Sequence, residues 1–254
     1  AAWIAMGFNC KNNFFYRQSK ITEVCELTWY LNCFTPYPML VNSHSFKDKS
    51  TNLSQINSGL FTYPILMASD ILLYDANIVP VGKDQKQHLE ITRDIAKTFN
   101  HQFGDTFIIP ECSVDEKVMT IPGTDGKKMS KTYNNTIDIF LDEKNLKKQI
   151  MSIITDSKGL EESKIADDCN VYKIYKLIAN MKDAQLMKEK YLTGGFGYGH
   201  AKKDLLELIL EKYKEQRVEY FKLLSDKEEI NKILEEGERK AKNIAINVLE
   251  RVKA

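Results

Sequence analysis

The sequence has little that would tie the chain to a membrane or to an oxidising compartment. Its longest apolar stretch, Ile65 to Tyr74, is too short to span a bilayer and carries Asp70 near its centre. No signal-peptide pattern opens the chain. The five cysteines are an odd number without CxxC spacing, which disfavours a zinc site. We therefore expect a cytoplasmic protein with free thiols, no membrane partner and no metal-ligating residues.

The sequence also lacks an excess of either positive or negative charge. Lysine and arginine number 36 against 35 acidic residues, which gives a net charge of +1. No global field therefore attracts nucleic acid, and any RNA contact must come from a local patch. No DNA partner is predicted.

Proline is absent after Pro122, and patterns typical of strands are absent after Asn145. Before that point strands alternate with helices, which indicates an α/β fold with a mostly parallel sheet. The rest of the chain shows helical periodicity. We therefore predict an α/β domain followed by an all-α domain, with a boundary near Asp138 to Asn145.

The apolar patterns also predict individual elements. The predicted strands are 12–18, 78–81, 106–110 and 118–122. The predicted helices are 1–7, 21–34, one from about Tyr63, one after Gln85, 146–154, 171–178, 205–224 and 228–252. The glycine-rich run from Gly194 to Gly199 follows no strand, so it predicts a turn between helices and not a phosphate cradle.

The stretch from Tyr63 to Asn100 organises the first half of the chain. A buried helix leads to the strand Ile78 to Val81, and Gly82 then opens a second helix. In open α/β sheets ligands bind beyond the carboxyl ends of the strands, so residues 82–85 are the predicted place for a site.

Several polar residues near this stretch allow two interpretations from their chemistry alone. Asp70 is either a ligand group or the partner of a tyrosine or arginine, and Asp84 either binds a ligand or caps the following helix. Lys47 and Lys49 lie in a polar segment, Ser43 to Ser50, that resembles an ordinary solvated loop.

The sharpest local motif is Lys128-Met129-Ser130-Lys131-Thr132. Two ammonium groups three residues apart, after a glycine-containing turn, suit the charge that builds on a departing pyrophosphate. At average residue frequencies Lys-Met-Ser-Lys occurs by chance in well under about 1% of chains of this length.

This motif resembles the KMSKS loop of the class I aminoacyl-tRNA synthetases. The stretches Tyr63 to Asp70 (YPILMASD) and Val81 to His88 (VGKDQKQH) resemble the tryptophanyl branch of that class. The resemblance implies a partial Rossmann-like catalytic domain over residues 1–142 and a helical domain that binds the tRNA anticodon over residues 143–254.

The resemblance also implies roles for particular residues. Asp70 would accept a hydrogen bond from the indole N–H of tryptophan, between walls formed by Met67, Ile71, Val79 and Val81. Tyr63 and Gln85 would hold the polar end of the amino acid. The residues implied for ATP are Gly82, Asp84, Gln85, Val118, Lys128, Met129, Ser130 and Lys131. The residues implied for catalysis at the phosphates are Lys47, Lys49, Lys128 and Lys131.

The activity implied is that of a tryptophan–tRNA ligase. Such an enzyme joins tryptophan to ATP with Mg²⁺ and passes the aminoacyl group to tRNA(Trp), and its family implies a homodimer. A basic face of Lys222, Arg239, Lys240 and Lys242 would hold the anticodon, although charge alone favours a solvated surface. The alternatives are a tyrosine-specific relative and a non-catalytic RNA-binding or scaffold protein.

One departure from the family pattern concerns the HIGH motif that class I synthetases carry near their N-terminus. None of His44, His88, His101 and His200 lies in such a context. We therefore expect the chain to be a fragment that lacks the opening part of its nucleotide fold and is inactive in adenylation by itself.

Overall fold

The computed structural model describes residues 1–43, 46–47, 56–82, 85–114 and 121–254. No helix in these ranges is long and apolar enough to cross a membrane. Short 3₁₀ turns occur at 18–20, 131–133 and 166–168. The helices and strands in chain order are α1 (Ala2–Ala5), α2 (Glu23–Phe34), α3 (Tyr37–Val41), α4 (Ser58–Leu72), β1 (Ile78–Val81), α5 (Lys86–Phe103), β2 (Glu111–Val114), α6 (Glu143–Met151), α7 (Asn170–Ile178), α8 (Met181–Thr193), α9 (Tyr198–Lys212), α10 (Lys214–Ser225) and α11 (Lys227–Lys253).

The chain divides into two compact units. The sheet unit comprises Asn9–Val118 and Glu228–Ala254, and the helical unit comprises Ala1–Phe8 and Met119–Lys227. These units depart from the predicted boundary at residue 142, because α11 packs into the core of the sheet unit and residues 119–142 belong to the helical unit. The functions assigned to the two predicted domains stay a prediction.

In the sheet unit, β1 and β2 pair in parallel, with Ile78 opposite Glu111 and Val81 opposite Val114. The α/β class with a parallel sheet and helical remainder is thus confirmed, as is the order of helix, strand and helix around β1. Asn57 begins α4 by accepting a hydrogen bond from the Leu60 amide at 2.9 Å. Buried side chains of α2, α4, α5 and α11 form one core.

The predicted strand over 106–110 is wrong, because β2 begins at Glu111. The side chain of Asn100 forms hydrogen bonds with backbone groups of Thr106 and Phe107 that a neighbouring strand would otherwise bind. Its Oδ1 accepts from the amides of Thr106 and Phe107 at 3.1 and 2.8 Å, and its Nδ2 donates to the Phe107 carbonyl at 2.8 Å. Of the predicted strand 118–122, residues 118–120 lie outside the described residues.

The predicted strand over 12–18 is also wrong, since this segment forms turns and extended chain with no strand partner among the described residues. Instead its backbone lies against α11. A Cβ added to Gly237 would lie 2.1 Å from the Phe15 carbonyl oxygen, so the close approach requires glycine at this helix position.

The helical unit has its own core, built from α6 to α9. The predicted helices 146–154 and 171–178 correspond to α6 and α7, whereas 205–224 is divided into α9 and α10 at Tyr213. Helix α8 is absent from the prediction, although its buried residues Ala184, Met187 and Tyr191 lie at helical spacing between charged residues. Gly194 ends α8 with a φ of +78° and Gly197 precedes α9, which confirms the turn.

Candidate active site

One face of α4 in the sheet unit carries the residues predicted for the amino acid. Tyr63, Met67 and Asp70 follow one another at i, i+4 and i+7, so they lie on one side of the helix, with Ile71 beside them. All four are partly exposed, whereas Pro64, Ile65, Ala68, Ser69 and Leu72 of the same helix are buried. The face that carries Asp70 is therefore the one that remains accessible.

The carboxylate of Asp70 is held by Gln18. The side-chain amide of Gln18 donates at 2.6 Å to both carboxylate oxygens. Burial raises the pKa of Asp70, and the hydrogen bond from Gln18 opposes that rise. The partner is thus an amide and neither the tyrosine nor the arginine that sequence reasoning considered.

Two tyrosines lie next to this carboxylate. The rings of Tyr16 and Tyr74 are 5.8 Å apart, and Tyr74 lies four residues after Asp70, in the turn that follows α4. Burial raises the pKa of both phenols, and the negative charge of Asp70 acts in the same direction. Asp70 therefore combines an acceptor with an aromatic, partly desolvated surrounding, which is the chemistry that an indole ring requires.

At the other end of the α4 face, Tyr63 contacts the buried His88 of α5. The Tyr63 hydroxyl and His88 Nε2 are 3.2 Å apart, and the two rings are 5.4 Å apart at their centroids. The sequence places His88 outside any HIGH-type context. Its contact with Tyr63 gives it a supporting role that no local pattern indicates.

The carboxyl end of β1 supplies the remaining residues of this unit. Val79 and Val81 lie on the more buried face of the strand, while Ile78 and Pro80 are exposed. Beyond the strand the Gln85 amide donates to the Gly82 carbonyl at 2.9 Å. Gln85 is partly exposed at the helix start.

The structure says less about the other residues of this unit that are predicted to contact ATP or its phosphates. Lys49, Asp84 and Val118 lie outside the described residues. Lys47 is described and exposed, and its Nζ donates to Asn42 Oδ1 at 3.2 Å.

The lysine motif lies in the helical unit, on a short hairpin. Pro122 and Lys128 form an antiparallel bridge, the Gly123 amide donates to the Lys127 carbonyl at 2.7 Å, and the Met129 amide donates to the Ile121 carbonyl at 2.8 Å. Ser130 then begins a 3₁₀ turn, where its Oγ accepts from the Thr132 amide. Lys128 and Lys131 are both exposed, so they are available to an anionic ligand.

Asn135 fixes the shape of this hairpin. The residue is 2% exposed, and its Oδ1 accepts from the Ser130 amide at 2.7 Å. Its Nδ2 donates to Asp125 Oδ1 at 2.7 Å and to the Lys128 carbonyl at 3.0 Å. Asn135 thus holds both sides of the lysine motif, a role that the sequence did not reveal.

Each of the basic residues suggested for the anticodon has an acidic partner within its own unit. Lys222 pairs with Glu219 at 3.5 Å in the helical unit. In the sheet unit, Arg239 and Lys240 both pair with Glu236, and Lys242 pairs with Glu23. The pairs Lys222–Glu219 and Arg239–Glu236, between exposed side chains, are typical of a solvated helix surface.

The fold and these two sets of residues together define a class of protein. A parallel sheet has an acid-bearing helix at its side, and an exposed Lys-Met-Ser-Lys hairpin follows in the chain. The family model described as "tRNA synthetases class I (W and Y)" matches residues 1–214. The chain belongs to this family.

Within the family the similarity is to tryptophan enzymes. The chain is 47% identical to the tryptophan–tRNA ligase of Campylobacter jejuni, over 99% of the chain and 79% of that protein. It is also 47% identical to the tryptophan–tRNA ligase of Fusobacterium nucleatum, over 99% of the chain and 77% of that protein. The chain thus spans about four fifths of the length of these relatives.

Solved structures agree with this assignment. The crystal structure of the C. jejuni tryptophanyl-tRNA synthetase, complexed with ADP and tryptophan, matches with a TM-score of 0.93 over 99% of the chain and 79% of that chain. The tyrosyl-tRNA synthetase of Aeropyrum pernix matches with a TM-score of 0.56 at 15% identity, a likeness of fold alone.

Proposed function

We propose that the protein is a tryptophan–tRNA ligase, an enzyme that activates tryptophan with ATP and then transfers it to tRNA(Trp). The observation that carries the proposal is the partly exposed carboxylate of Asp70, held by Gln18 beside Tyr16 and Tyr74. The relatives at 47% identity bear the name of this activity.

Selection of tryptophan rests on the hydrogen-bonding capacity of the indole ring. Indole N–H is a donor only, so its recognition needs an acceptor in an otherwise apolar pocket. Asp70 supplies the acceptor, and Met67, Ile71, Val79 and Val81 supply apolar walls. A side chain without the N–H would leave the carboxylate unpaired, and such sites reject their analogues strongly.

The polar end of tryptophan has two candidates beside these walls. Tyr63, oriented by His88, and Gln85, at the start of α5, each offer a hydrogen bond. The tryptophan carboxylate attacks the α-phosphorus of ATP, forms the new P–O bond of the adenylate and releases pyrophosphate. Gly82 admits the nucleotide closely because it has no Cβ.

The lysine hairpin serves the leaving group. Lys128 and Lys131 are exposed charges on a loop that Asn135 fixes, so they suit the negative charge that grows on pyrophosphate. Met129 and Ser130 belong to the same loop. Lys47, Lys49, Asp84 and Val118 complete the proposed ATP site by resemblance.

Mg²⁺ is part of the proposal as the companion of ATP. Among the described residues no group of three or more His, Cys, Asp or Glu side chains could hold a metal ion. The described side chains therefore do not fit a protein-built magnesium site, and we derive no step through the ion. Magnesium that accompanies ATP is held largely by the phosphates and water.

We further propose that the protein is a homodimer and acts in the cytoplasm. In the sheet unit Trp29 is 70% exposed and Tyr37 is 69% exposed, and large exposed aromatic surface often marks an interface. Cys25, Cys33, Cys112 and Cys169 are free thiols, which suits a reducing compartment. Sedimentation equilibrium tests the dimer, and a monomer at micromolar concentration would contradict it.

The test of the activity is ATP–pyrophosphate exchange with the full product of the gene that encodes this chain. We expect exchange that depends on tryptophan and is at least about a hundredfold slower with tyrosine, as for sites built around a substrate hydrogen bond. Charging of a tRNA(Trp) transcript tests the second step. Equal exchange with tyrosine would favour the tyrosine-specific alternative, and tRNA binding without exchange would favour the non-catalytic one.

A further inference from the structure

The helical unit contains a basic cavity of which the proposed chemistry of tryptophan activation uses only Lys128. It has a volume of about 630 Å³, and four lysines line it: Lys127 and Lys128 from the hairpin, and Lys173 and Lys176 from α7. Asp167 is the acidic residue in the same lining.

The positive charge of this cavity is not cancelled by its own acid. Asp167 accepts from Lys188 Nζ at 2.6 Å and from Lys176 Nζ at 3.4 Å, and the bond from Lys188 is the first cause of its lowered pKa. Within the described ranges no carboxylate lies within ion-pair distance of Lys127, Lys128 or Lys173. The cavity therefore attracts an anion.

The position of these lysines follows from the fold. Lys173, Lys176 and Leu177 lie at i, i+3 and i+4, on one face of α7. The hairpin is held against the start of that helix, where a Cβ added to Gly126 would lie 2.6 Å from Asn170 Nδ2. Asn170 in turn donates to the Ile154 carbonyl at 3.2 Å.

We infer that this cavity binds the phosphate backbone of an RNA strand, an inference that rests on the proposed action on tRNA. Lysines are flexible point charges, which suit successive backbone phosphates better than one small anion of fixed geometry. Pro122 and Leu177 add apolar surface against which a ribose or base can pack. Lys128 belongs both to this cavity and to the lysine motif, so an RNA strand held here reaches the proposed ATP loop.

The test measures binding of a fluorescein-labelled tRNA(Trp) transcript to the full chain by anisotropy, over a series of salt concentrations. The Lys173→Ala/Lys176→Ala variant should bind about tenfold more weakly at 0.1 M salt, and its slope of log Kd against log salt should fall by about 1.4, since each lost phosphate contact removes about 0.7. The matched control is Lys182→Ala/Lys203→Ala, which removes two exposed lysines of the same unit outside the cavity and should stay within about twofold. Thermal unfolding of each variant checks that it is folded.

A second variant tests whether RNA binding becomes tighter when negative charge is removed from the cavity. Asp167→Asn removes the acid of the cavity and releases Lys176 and Lys188, so it should tighten RNA binding. Calorimetry with inorganic pyrophosphate separates a backbone site from a free-anion site. Loss of pyrophosphate binding in the Lys173→Ala/Lys176→Ala variant with unchanged RNA binding would overturn the inference.

Two further outcomes distinguish this inference from the proposed function. Equal weakening in the cavity and control pairs, or none in either, would overturn the cavity inference and leave tRNA binding in place. A wild-type chain that binds no RNA would overturn the inference together with the tRNA step of the proposed function.

Discussion

The side-chain amide of Gln18 donates to both carboxylate oxygens of Asp70 at 2.6 Å, across 52 residues of sequence. This bond stabilises the charged form of the carboxyl group and so opposes the rise in the pKa of Asp70 that burial causes. Gln18 therefore acts as a positioning residue that holds Asp70, the proposed acceptor for an indole donor.

Replacing Gln18 by alanine should raise the pKa of Asp70 further, because desolvation remains and the opposing hydrogen bond is lost. NMR titration of the aspartate carboxyl carbons measures the change. Gln185→Ala, a surface change in the helical unit, is the control and should leave the Asp70 titration unaltered. An Asp70 pKa that stays constant or falls in Gln18→Ala would contradict the assigned role.

Asp70→Asn should make the protein more stable at neutral pH while impairing the proposed site. Because burial raises the pKa of Asp70 in the folded state, the unfolded chain ionises first as the pH rises, and wild-type stability falls over that range. The advantage of the variant should therefore be present near pH 7.5 and vanish as the pH falls below the ordinary range of a carboxyl group. Thermal unfolding at several pH values tests this, and a destabilised variant near pH 7.5 would contradict it.

Asn135→Ala should loosen the lysine hairpin. The change removes the acceptor of the Ser130 amide and the donors to Asp125 and the Lys128 carbonyl, so it should lower the stability of the hairpin. Hydrogen exchange of the Ser130 amide should speed up, whereas tryptophan binding should not change. Unaltered protection of that amide would show that Asn135 does not hold the loop.

Gly237→Ala should destabilise the sheet unit, since its new Cβ would lie 2.1 Å from the Phe15 carbonyl oxygen and force α11 to shift. We expect a loss of at least about 1–3 kcal/mol, the usual range for overpacking. Gly199→Ala, where no atom lies within 4 Å of the added carbon, serves as the comparison and should be neutral or slightly stabilising. Urea midpoints measure both, and equal midpoints would refute the close approach.

The contrast between Asp70 and Gln18 explains how much of the site could be predicted from sequence. A single acid in an apolar helix is a local anomaly, and the order of α4, β1 and α5 follows from local periodicity, so these features were predicted. Gln18 lies in an irregular segment with no period of its own. Its contact with Asp70 exists only after long-range folding.

The same limit applies to Asn100 and Asn135. Each is an asparagine whose amide replaces backbone pairing, the first at the wrongly predicted strand 106–110 and the second behind the lysine motif. A pattern of residue propensities shows that an asparagine is present, but it does not show which backbone groups the asparagine side chain will bind. The lysine motif can be recognised because its residues are contiguous in sequence. Asn135, which holds the motif in place, lies outside it and carries no such signal.

The central claim is that Asp70 accepts the indole N–H of tryptophan. Its most direct test is calorimetric binding of tryptophan and of 3-benzothienylalanine, which has a sulfur in place of the N–H, to the full gene product and to its Asp70→Ala variant. We predict that the wild type favours tryptophan by about 10- to 100-fold, as for a hydrogen bond to a charged group, and that the variant binds both ligands equally. The same preference for tryptophan in wild type and variant would contradict the account.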